Sequence, residues 1–117
     1  MDDDPAQGKA AREALAAATL VAITVPALCE FAWVLSRRYK LPKPDIAAAI
    51  RAMLTPSNAV TDHPAVDAGL ASMDAGGDFA DGAFAHAGRM IGGTVFLTFD
   101  EPAATLVRRT GGQASVP

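Results

Sequence analysis

Four acidic residues stand where carboxylates could work together on one substrate. Glu30 lies in a segment that reads as an apolar, largely buried helix, and Asp100 directly follows an apolar strand. Asp78 and Asp81 begin a later helix and, three residues apart, share one of its faces. Ligands bind at the C-terminal ends of strands in open parallel sheets, so we expect Asp100 and Glu30 to meet at one sheet edge.

Clustered carboxylates point to a particular chemistry, because they repel one another and raise each other's pKa unless a cation lies among them. Mg²⁺ and Mn²⁺ favour such oxygen ligands, keep several waters and bind through a few carboxylates plus a substrate phosphate. A site of this kind activates water and stabilises the leaving oxygen in phosphodiester hydrolysis. The acidic set therefore indicates metal-dependent cleavage of a phosphodiester.

Each acid also has a purely structural interpretation. Asp78 follows two glycines and is an ordinary N-cap, and Asp100 could likewise cap the last helix. Asp81 is favoured in a first helical turn by the helix dipole. A salt bridge to Arg37 or another base would account for Glu30, since an unpaired carboxylate in an apolar helix is costly. The residues alone leave both interpretations open.

Composition sets the broad class of the protein. The 117 residues are 50% hydrophobic and 20% charged, which is typical of one folded domain and argues against disorder. A net charge of −3 gives no global basic footprint for nucleic acid. The obvious local basic patch is Arg37, Arg38 and Lys40 with Lys43 nearby, although such a cluster is more often a solvated helix end.

An uncharged stretch at residues 14–29 has to be weighed as a signal peptide or membrane span. Aspartates at positions 2–4 precede it, where a signal peptide needs positive charge. The stretch is short for a span and Pro26 interrupts it, so we expect no membrane insertion or export. The single cysteine, Cys29, permits no internal disulfide and favours a cytoplasmic location.

The pattern of apolar residues, prolines and glycines predicts an alternation of helices and strands. Helices are expected at residues 5–18, 26–39, 45–54, 63–74, 78–90 and 101–109, buried strands at 20–25 and 94–99, and a short edge strand at 113–116. Continuously apolar strands that alternate with helices indicate an α/β domain built around a parallel sheet.

Three segments, read in order, resemble the motifs of the VapC toxins of the PIN-domain family. They are VAITVPALCEFAWVLSRRYKL, GGDFADGAFAHAGRMIGG and TVFLTFDEPAATL, and the resemblance covers nearly the whole chain. By position, Glu30 resembles the family's helix glutamate and Asp81 the aspartate that opens the later helix. Asp100 resembles the aspartate after the last core strand, and Asp78 an accessory acid often found before the helix aspartate.

The resemblance implies a fold, an activity and partners. Residues 1–117 would form a single α/β domain, a PIN-like three-layer arrangement with a central parallel sheet. Glu30, Asp81 and Asp100 would ligate Mg²⁺ or Mn²⁺, Asp78 would position the metal or a water, and the protein would cut RNA. The family pattern further implies a homodimer inhibited by a VapB-type antitoxin, whose C-terminal segment covers the acidic groove.

The start of the chain departs from the family. Members begin with a hydrophobic strand in the middle of the sheet that ends in an Asp-Thr-Asn type motif. Here Met1 is followed at once by DDDPAQGKAAREAL, which resembles what comes after that strand. We therefore expect an N-terminally incomplete domain that lacks the first central strand and one metal ligand, with residues 2–4 as a loop or fraying terminus. Glu101-Pro102 is a smaller departure, because relatives often carry a basic residue there.

Two functions from different classes follow. The first is a metal-dependent endoribonuclease toxin that hydrolyses RNA phosphodiester bonds and is neutralised by a cognate antitoxin. The second is a catalytically inactive, truncated PIN domain that only binds antitoxin or another subunit. A generic small α/β domain with chance acids is the third interpretation.

Overall fold

The computed structural model of the chain describes residues 5–17 and 20–117. These residues form six helices and four two-residue strands, a mixed α/β arrangement dominated by helix. In chain order the elements are α1 (Pro5–Ala17), β1 (Val21–Ala22), α2 (Val25–Arg37), α3 (Lys43–Met53), β2 (Ala59–Val60), α4 (His63–Asp74), α5 (Phe79–Met90), β3 (Phe96–Leu97), α6 (Glu101–Arg109) and β4 (Ala114–Ser115). The expected loop at residues 2–4 and the last residue of the first expected helix, Ala18, lie outside the described residues.

Local sequence explains where the helices begin. α2, α4 and α6 each have a proline in the first turn, where its missing N–H leaves no hydrogen bond unmade. Their N-cap side chains, Thr24, Asp62 and Asp100, each accept a hydrogen bond from the backbone N–H three residues further on. α4 and α6 therefore coincide with the expected helices. α2, α3 and α5 differ from expectation by one or two residues at their ends, and α1 agrees with expectation over its described residues.

The apolar core lies among α2, α3, α4 and α5. Its largest fully buried side chains are Leu28, Ile50, Val66 and Phe79, one from each helix. Among the described helices, α4 and α5 make the most extensive contact. The Phe79 ring packs where Gly69 has no side chain, because a Cβ there would lie 2.5 Å from the ring. The α4–α5 contact thus fixes the start of α5, which carries two of the predicted site residues.

The strands are shorter and more exposed than the sequence predicts. Leu20 is 67% exposed, Leu97 64% and Phe99 84%, so the expectation of two buried strands was wrong. Continuous apolar runs predict burial only if layers cover both faces of a sheet. β2 was not expected at all, because two residues are too few to show a periodic pattern.

The expected central sheet is divided into two parallel pairs. β1 pairs with β2, and β3 pairs with β4. Val21 and Ile23 donate to β2, so the N–H of Ala22 between them points to the opposite side. Leu97 lies in the same way between Phe96 and Thr98, which donate to β4. Over the described residues β1 and β3 therefore each keep an open edge, and no strand joins the two pairs into one sheet.

The uncharged stretch at residues 14–29 does not fold as one element. Its described part divides among the end of α1, β1 and the start of α2. In residues 5–17 and 20–117, no helix has both the length and the apolar character needed to cross a membrane.

Candidate active site

Three of the four predicted acids line one cavity. Asp78 and Asp81 come from the start of α5, and Asp100 comes from the junction between β3 and α6. The cavity has a volume of about 630 Å³, and Glu101, Lys43 and Arg109 also line it. The structure thus brings together carboxylates that stand about twenty positions apart in the sequence, with two cations beside them.

The turn between α4 and α5 places Asp78 and Asp81. Gly76 has a φ of 97°, a left-handed conformation that suits glycine, and it allows the chain to reverse after α4. The buried Ser72 hydroxyl donates to the carbonyl of Asp78 at 2.8 Å and so ties the turn to α4. The backbone N–H of Asp78 donates to Oδ2 of Asp81 at 3.0 Å, which is the reach-back hydrogen bond of a capping box.

Asp100 is held at the start of α6. Its backbone N–H donates to Oγ1 of Thr98 at 3.1 Å, and its Oδ1 accepts from the N–H of Ala103 at 3.5 Å. Asp78 and Asp100 are thus both helix N-caps, as their structural interpretation predicts. Because a carboxylate offers about four lone-pair positions, a capping aspartate retains oxygen capacity for a second partner. Capping and ligation are therefore compatible at these positions.

Asp81 shows the electrostatic signature of a crowded acidic site. Partial burial is the largest of the causes that raise the pKa of its carboxyl, and the neighbouring carboxylates of Asp78 and Asp100 raise it further. The hydrogen bond from the Asp78 N–H and the ammonium group of Lys43 lower the pKa, but not enough to reverse the shift. The cavity therefore disfavours a negative charge on Asp81 unless a cation offsets it.

Lys43 is the cation next to this cluster. It begins α3, and its Nζ donates a hydrogen bond to the carbonyl of Gly76 in the α4–α5 turn. This bond joins α3 to the turn that carries Asp78 and holds the ammonium group at the rim of the cavity. A lysine in this position neutralises part of the acidic charge and has N–H groups left to donate to an anionic partner.

Glu30 does not belong to this cavity. Leu28, Ala32 and Leu35 form the buried stripe of α2, and Glu30 is exposed. Two residues along a helix correspond to a rotation of roughly 200°, which turns Glu30 away from both Leu28 and Ala32. The expectation of a carboxylate in a largely buried helix was therefore wrong. Within the described part of the chain Glu30 forms no ion pair, so the alternative salt bridge to Arg37 is also not formed.

The isolation of Glu30 makes its substitution informative. We expect Glu30→Gln to change the free energy of unfolding by less than about 0.5 kcal/mol, since an exposed side chain without a partner contributes little. Chemical denaturation of the variant measures this. A larger loss of stability would show that Glu30 has a structural partner. A loss of RNA cleavage with unchanged stability would assign it to the ligand set.

The donor chemistry of the cavity fits a hard divalent cation. Carboxylate oxygens are the preferred ligands of Mg²⁺ and Mn²⁺, and Mg²⁺ is commonly held by one or two carboxylates with water completing its shell. Among residues 5–17 and 20–117, no three His, Cys, Asp or Glu side chains lie close enough together to hold a metal ion. Of the three expected metal ligands, Asp81 and Asp100 are the two that share the cavity, and Glu30 does not line it.

Sequence reasoning missed two residues that shape the cavity. Ser72 is the only polar residue among the buried side chains described, and it ties down the turn before Asp78. A serine at a buried helical position is a weak signal, because serine is common on helix surfaces. Arg109 lies in the last turn of α6, where a basic residue is ordinary, and only the packing of α6 beside the α4–α5 turn brings it to the cavity.

The chain matches none of the protein-family models, characterised protein sequences or solved structures with which it was compared.

Proposed function

We propose that the protein is a metal-dependent endoribonuclease that hydrolyses RNA phosphodiester bonds, as its resemblance to the VapC toxins implies. One observation carries the proposal. Asp78, Asp81 and Asp100 come from two separate regions of the chain and line one cavity, where Asp78 and Asp100 help to raise the pKa of Asp81. A structure in which each aspartate served only its own helix would not require them to share a space.

The residues of the cavity would have different roles in the reaction. Asp81 and Asp100 would hold Mg²⁺ or Mn²⁺, which when bound lowers the pKa of a coordinated water and stabilises the charge on the phosphate. Asp78 at the rim orients the attacking water by accepting a hydrogen bond from it. Lys43 and Arg109 bind the phosphate oxygens of the strand, because both are donors on the border of the acidic space.

Substitutions at Asp100 separate capping from ligation. Asparagine and serine are good N-caps, whereas alanine in place of a capping aspartate costs about 1 kcal/mol. We expect Asp100→Asn and Asp100→Ser to keep the unfolding midpoint near that of the wild type and to lose cleavage. Asp100→Ala should lose cleavage and should also unfold at a lower temperature than the wild type. Thermal unfolding and a Mn²⁺-dependent RNA cleavage assay on the three variants give the two readouts.

The outcomes of this set distinguish the proposal from its alternative. Cleavage that survives in the stable asparagine and serine variants would leave Asp100 as a cap only and remove it from the metal site. Absence of cleavage in a folded wild-type protein, with Mn²⁺ present, would favour the binding-only module. The position of Glu30 outside the cavity is the observation that favours this second function.

The finer features of the family belong to the same proposal. A further strand between β1 and β3 would join the two parallel pairs into the central sheet of a three-layer PIN-like domain. The outward N–H groups of Ala22 and Leu97 support this arrangement, since each leaves a parallel edge open. A cytoplasmic location, a homodimer and inhibition by a VapB-type antitoxin are likewise proposed from the resemblance.

A further inference from the structure

A second cavity lies beside the acidic one, between α2, the start of α3 and the start of α5. Its volume is about 360 Å³. We call it the tryptophan groove and define it by the side chains that distinguish it, Trp33, Arg37, Lys40, Lys43 and Asp78. It combines one large aromatic residue with three cations in a protein whose net charge is −3.

Trp33 is the aromatic surface of this groove. It is 63% exposed, although it belongs to a helix with an apolar stripe, and it is the single tryptophan of the chain. The buried residues Ala32 and Leu35 lie on the core side of α2, so Trp33 is not needed to complete that stripe. A large exposed ring beside cations is the arrangement on which proteins stack the bases of single-stranded nucleic acids.

Two cationic residues follow Trp33 toward the C-terminal end of α2. Arg37 lies one helical turn after Trp33 on the same face, and Lys40 follows the end of α2. Lys40 has a φ of 58°, a left-handed conformation that glycine adopts at lower cost. The backbone N–H of Leu41 bonds to the carbonyl of Leu35 at 3.0 Å and stabilises this turn. The turn therefore holds a cationic side chain at a position where glycine would suit the backbone better.

The groove leads into the acidic cavity. Lys43 and Asp78 line both spaces, so the two cavities share a border at the proposed metal site. A strand held along Arg37 and Lys40 would pass Lys43 before it reaches Asp81. This order places base stacking and phosphate binding on one side of the bond to be cut.

We propose that the tryptophan groove binds single-stranded RNA, with a base stacked on Trp33 and phosphates on Arg37 and Lys40, and guides the strand over Lys43 into the acidic cavity. The inference rests on the proposed function, because it specifies the form of the RNA that the cavity would cut. It selects a single strand, since a base paired in a duplex does not present its face to an aromatic side chain.

Fluorescence of the single tryptophan tests the groove directly. The wild-type protein is titrated in EDTA with a single-stranded RNA of about 12 nucleotides, and with the same sequence as a duplex. A base stacked on Trp33 quenches the emission, so we expect saturable quenching by the single strand and little by the duplex. Trp33, Arg37 and Lys40 make the proposed RNA contacts and do not line the acidic cavity, so binding should persist without metal. Absence of saturable quenching at low salt would overturn the proposal.

Substitutions of the groove residues show which side chains contribute to RNA binding. Fluorescence anisotropy of labelled RNA measures the affinity of each variant. Trp33→Ala should weaken binding roughly 5- to 100-fold, the range for one lost stacking contact. Arg37→Gln and Lys40→Gly should each weaken binding and reduce the slope of log K against log salt by about 0.7, the value for one phosphate of a single strand. Lys40→Gly should at the same time leave the protein equally or more stable, because it relaxes the left-handed turn.

Two matched controls complete the set. Arg51→Gln removes an exposed cation of α3 that lines neither cavity, and Phe84→Ala removes an aromatic side chain that is 51% exposed elsewhere. Both should bind RNA as the wild type does. Equal losses in the controls and the groove variants would overturn the proposal in favour of nonspecific attraction.

The experiments distinguish failure of the RNA-binding groove from failure of the proposed nuclease activity. Cleavage of RNA with Mn²⁺ by a protein whose KM is unchanged in Trp33→Ala and Arg37→Gln would refute the groove and leave the nuclease intact. RNA binding that depends on Trp33 in a protein without cleavage would support the groove and refute the nuclease. A Trp33 emission that responds to a protein partner and not to RNA would reassign the groove to protein binding.

Discussion

Replacing Asp81 by asparagine is expected to lower RNA cleavage by roughly 100-fold or more while the chain stays folded. Loss of a carboxylate that holds a catalytic cation removes several kcal/mol of transition-state stabilisation, and each 1.36 kcal/mol is a factor of about ten in rate. Partial burial and both other cavity aspartates raise the pKa of Asp81, so this carboxylate lies close to each of them. Its neutralisation should have the largest effect on activity of any change in the site.

The fold should tolerate this substitution for an electrostatic reason. In the metal-free protein the pKa of Asp81 is higher in the folded than in the unfolded state. The folded chain then binds the proton more tightly, so stability falls as the pH rises from the unfolded pKa through the folded one. At neutral pH the ionised Asp81 is thus a cost that asparagine removes. An asparagine Oδ1 can still accept from the Asp78 N–H, which retains the capping contact.

Cleavage with Mn²⁺ and denaturation in EDTA are the two measurements for Asp81→Asn. We expect the variant to unfold at the same or higher denaturant concentration than the wild type near pH 7, and the difference to vanish below the unfolded pKa. Asp67→Asn, an exposed acid on α4 outside the cavity, is the matched control and should retain cleavage. Retained cleavage in Asp81→Asn would remove this residue from the metal site.

The helices could be predicted from the sequence and the burial of the strands could not, for a physical reason. Helix boundaries depend on residues close in the chain, such as Asp62 before Pro64 or Asp100 before Pro102, and these signals are complete in the sequence. The burial of a strand depends on what covers it. Leu97 and Phe99 belong to an apolar run, but no element among the described residues covers them.

The acidic site could likewise be predicted in part from the sequence. Asp78, Asp81 and Asp100 stand at helix starts, as the local pattern predicts, and the structure places them around one cavity. The local pattern had joined Asp100 to Glu30, which does not line that cavity. Glu30 lies within a helix, where its direction depends on rotation about the helix axis. Apolar residues lie most of the way around α2, so the sequence did not show which side faces the core. Trp33, one of these residues, is largely exposed.

The same ambiguity concealed the tryptophan groove. The sequence shows a basic cluster at the end of α2, and such a cluster is more often a solvated helix end than a binding site. Only the packing of α3 and α5 against α2 places Lys43 and Asp78 in the same space as Trp33. The sequence shows that a segment has helical periodicity. When several faces of the helix are apolar, the elements that pack against it determine which face is buried.

The second large effect is expected in the helix pair that carries the site. α4 and α5 cross so closely at Gly82 that a Cβ there would lie 2.1 Å from the carbonyl oxygen of Ala68 and 2.7 Å from the Cβ of Ser72. The nearest obstacle is backbone, so the helices must separate. We expect Gly82→Ala to lower the free energy of unfolding by about 3 kcal/mol, the upper part of the range for overpacking. Separation would also shift the neighbouring Asp81, and cleavage should fall with stability.

Gly88 on the same helix provides the matched control, because a Cβ added there meets nothing within 4 Å. Alanine has the higher helix propensity, so Gly88→Ala should raise the free energy of unfolding by about 0.5–1 kcal/mol. Urea denaturation of the two variants beside the wild type measures opposite changes from the same substitution on one helix. Equal stabilisation of both would mean that α4 and α5 do not approach closely at Gly82. The turn tied down by Ser72 would then lose the rigid support on which the placement of Asp78 and Asp81 depends.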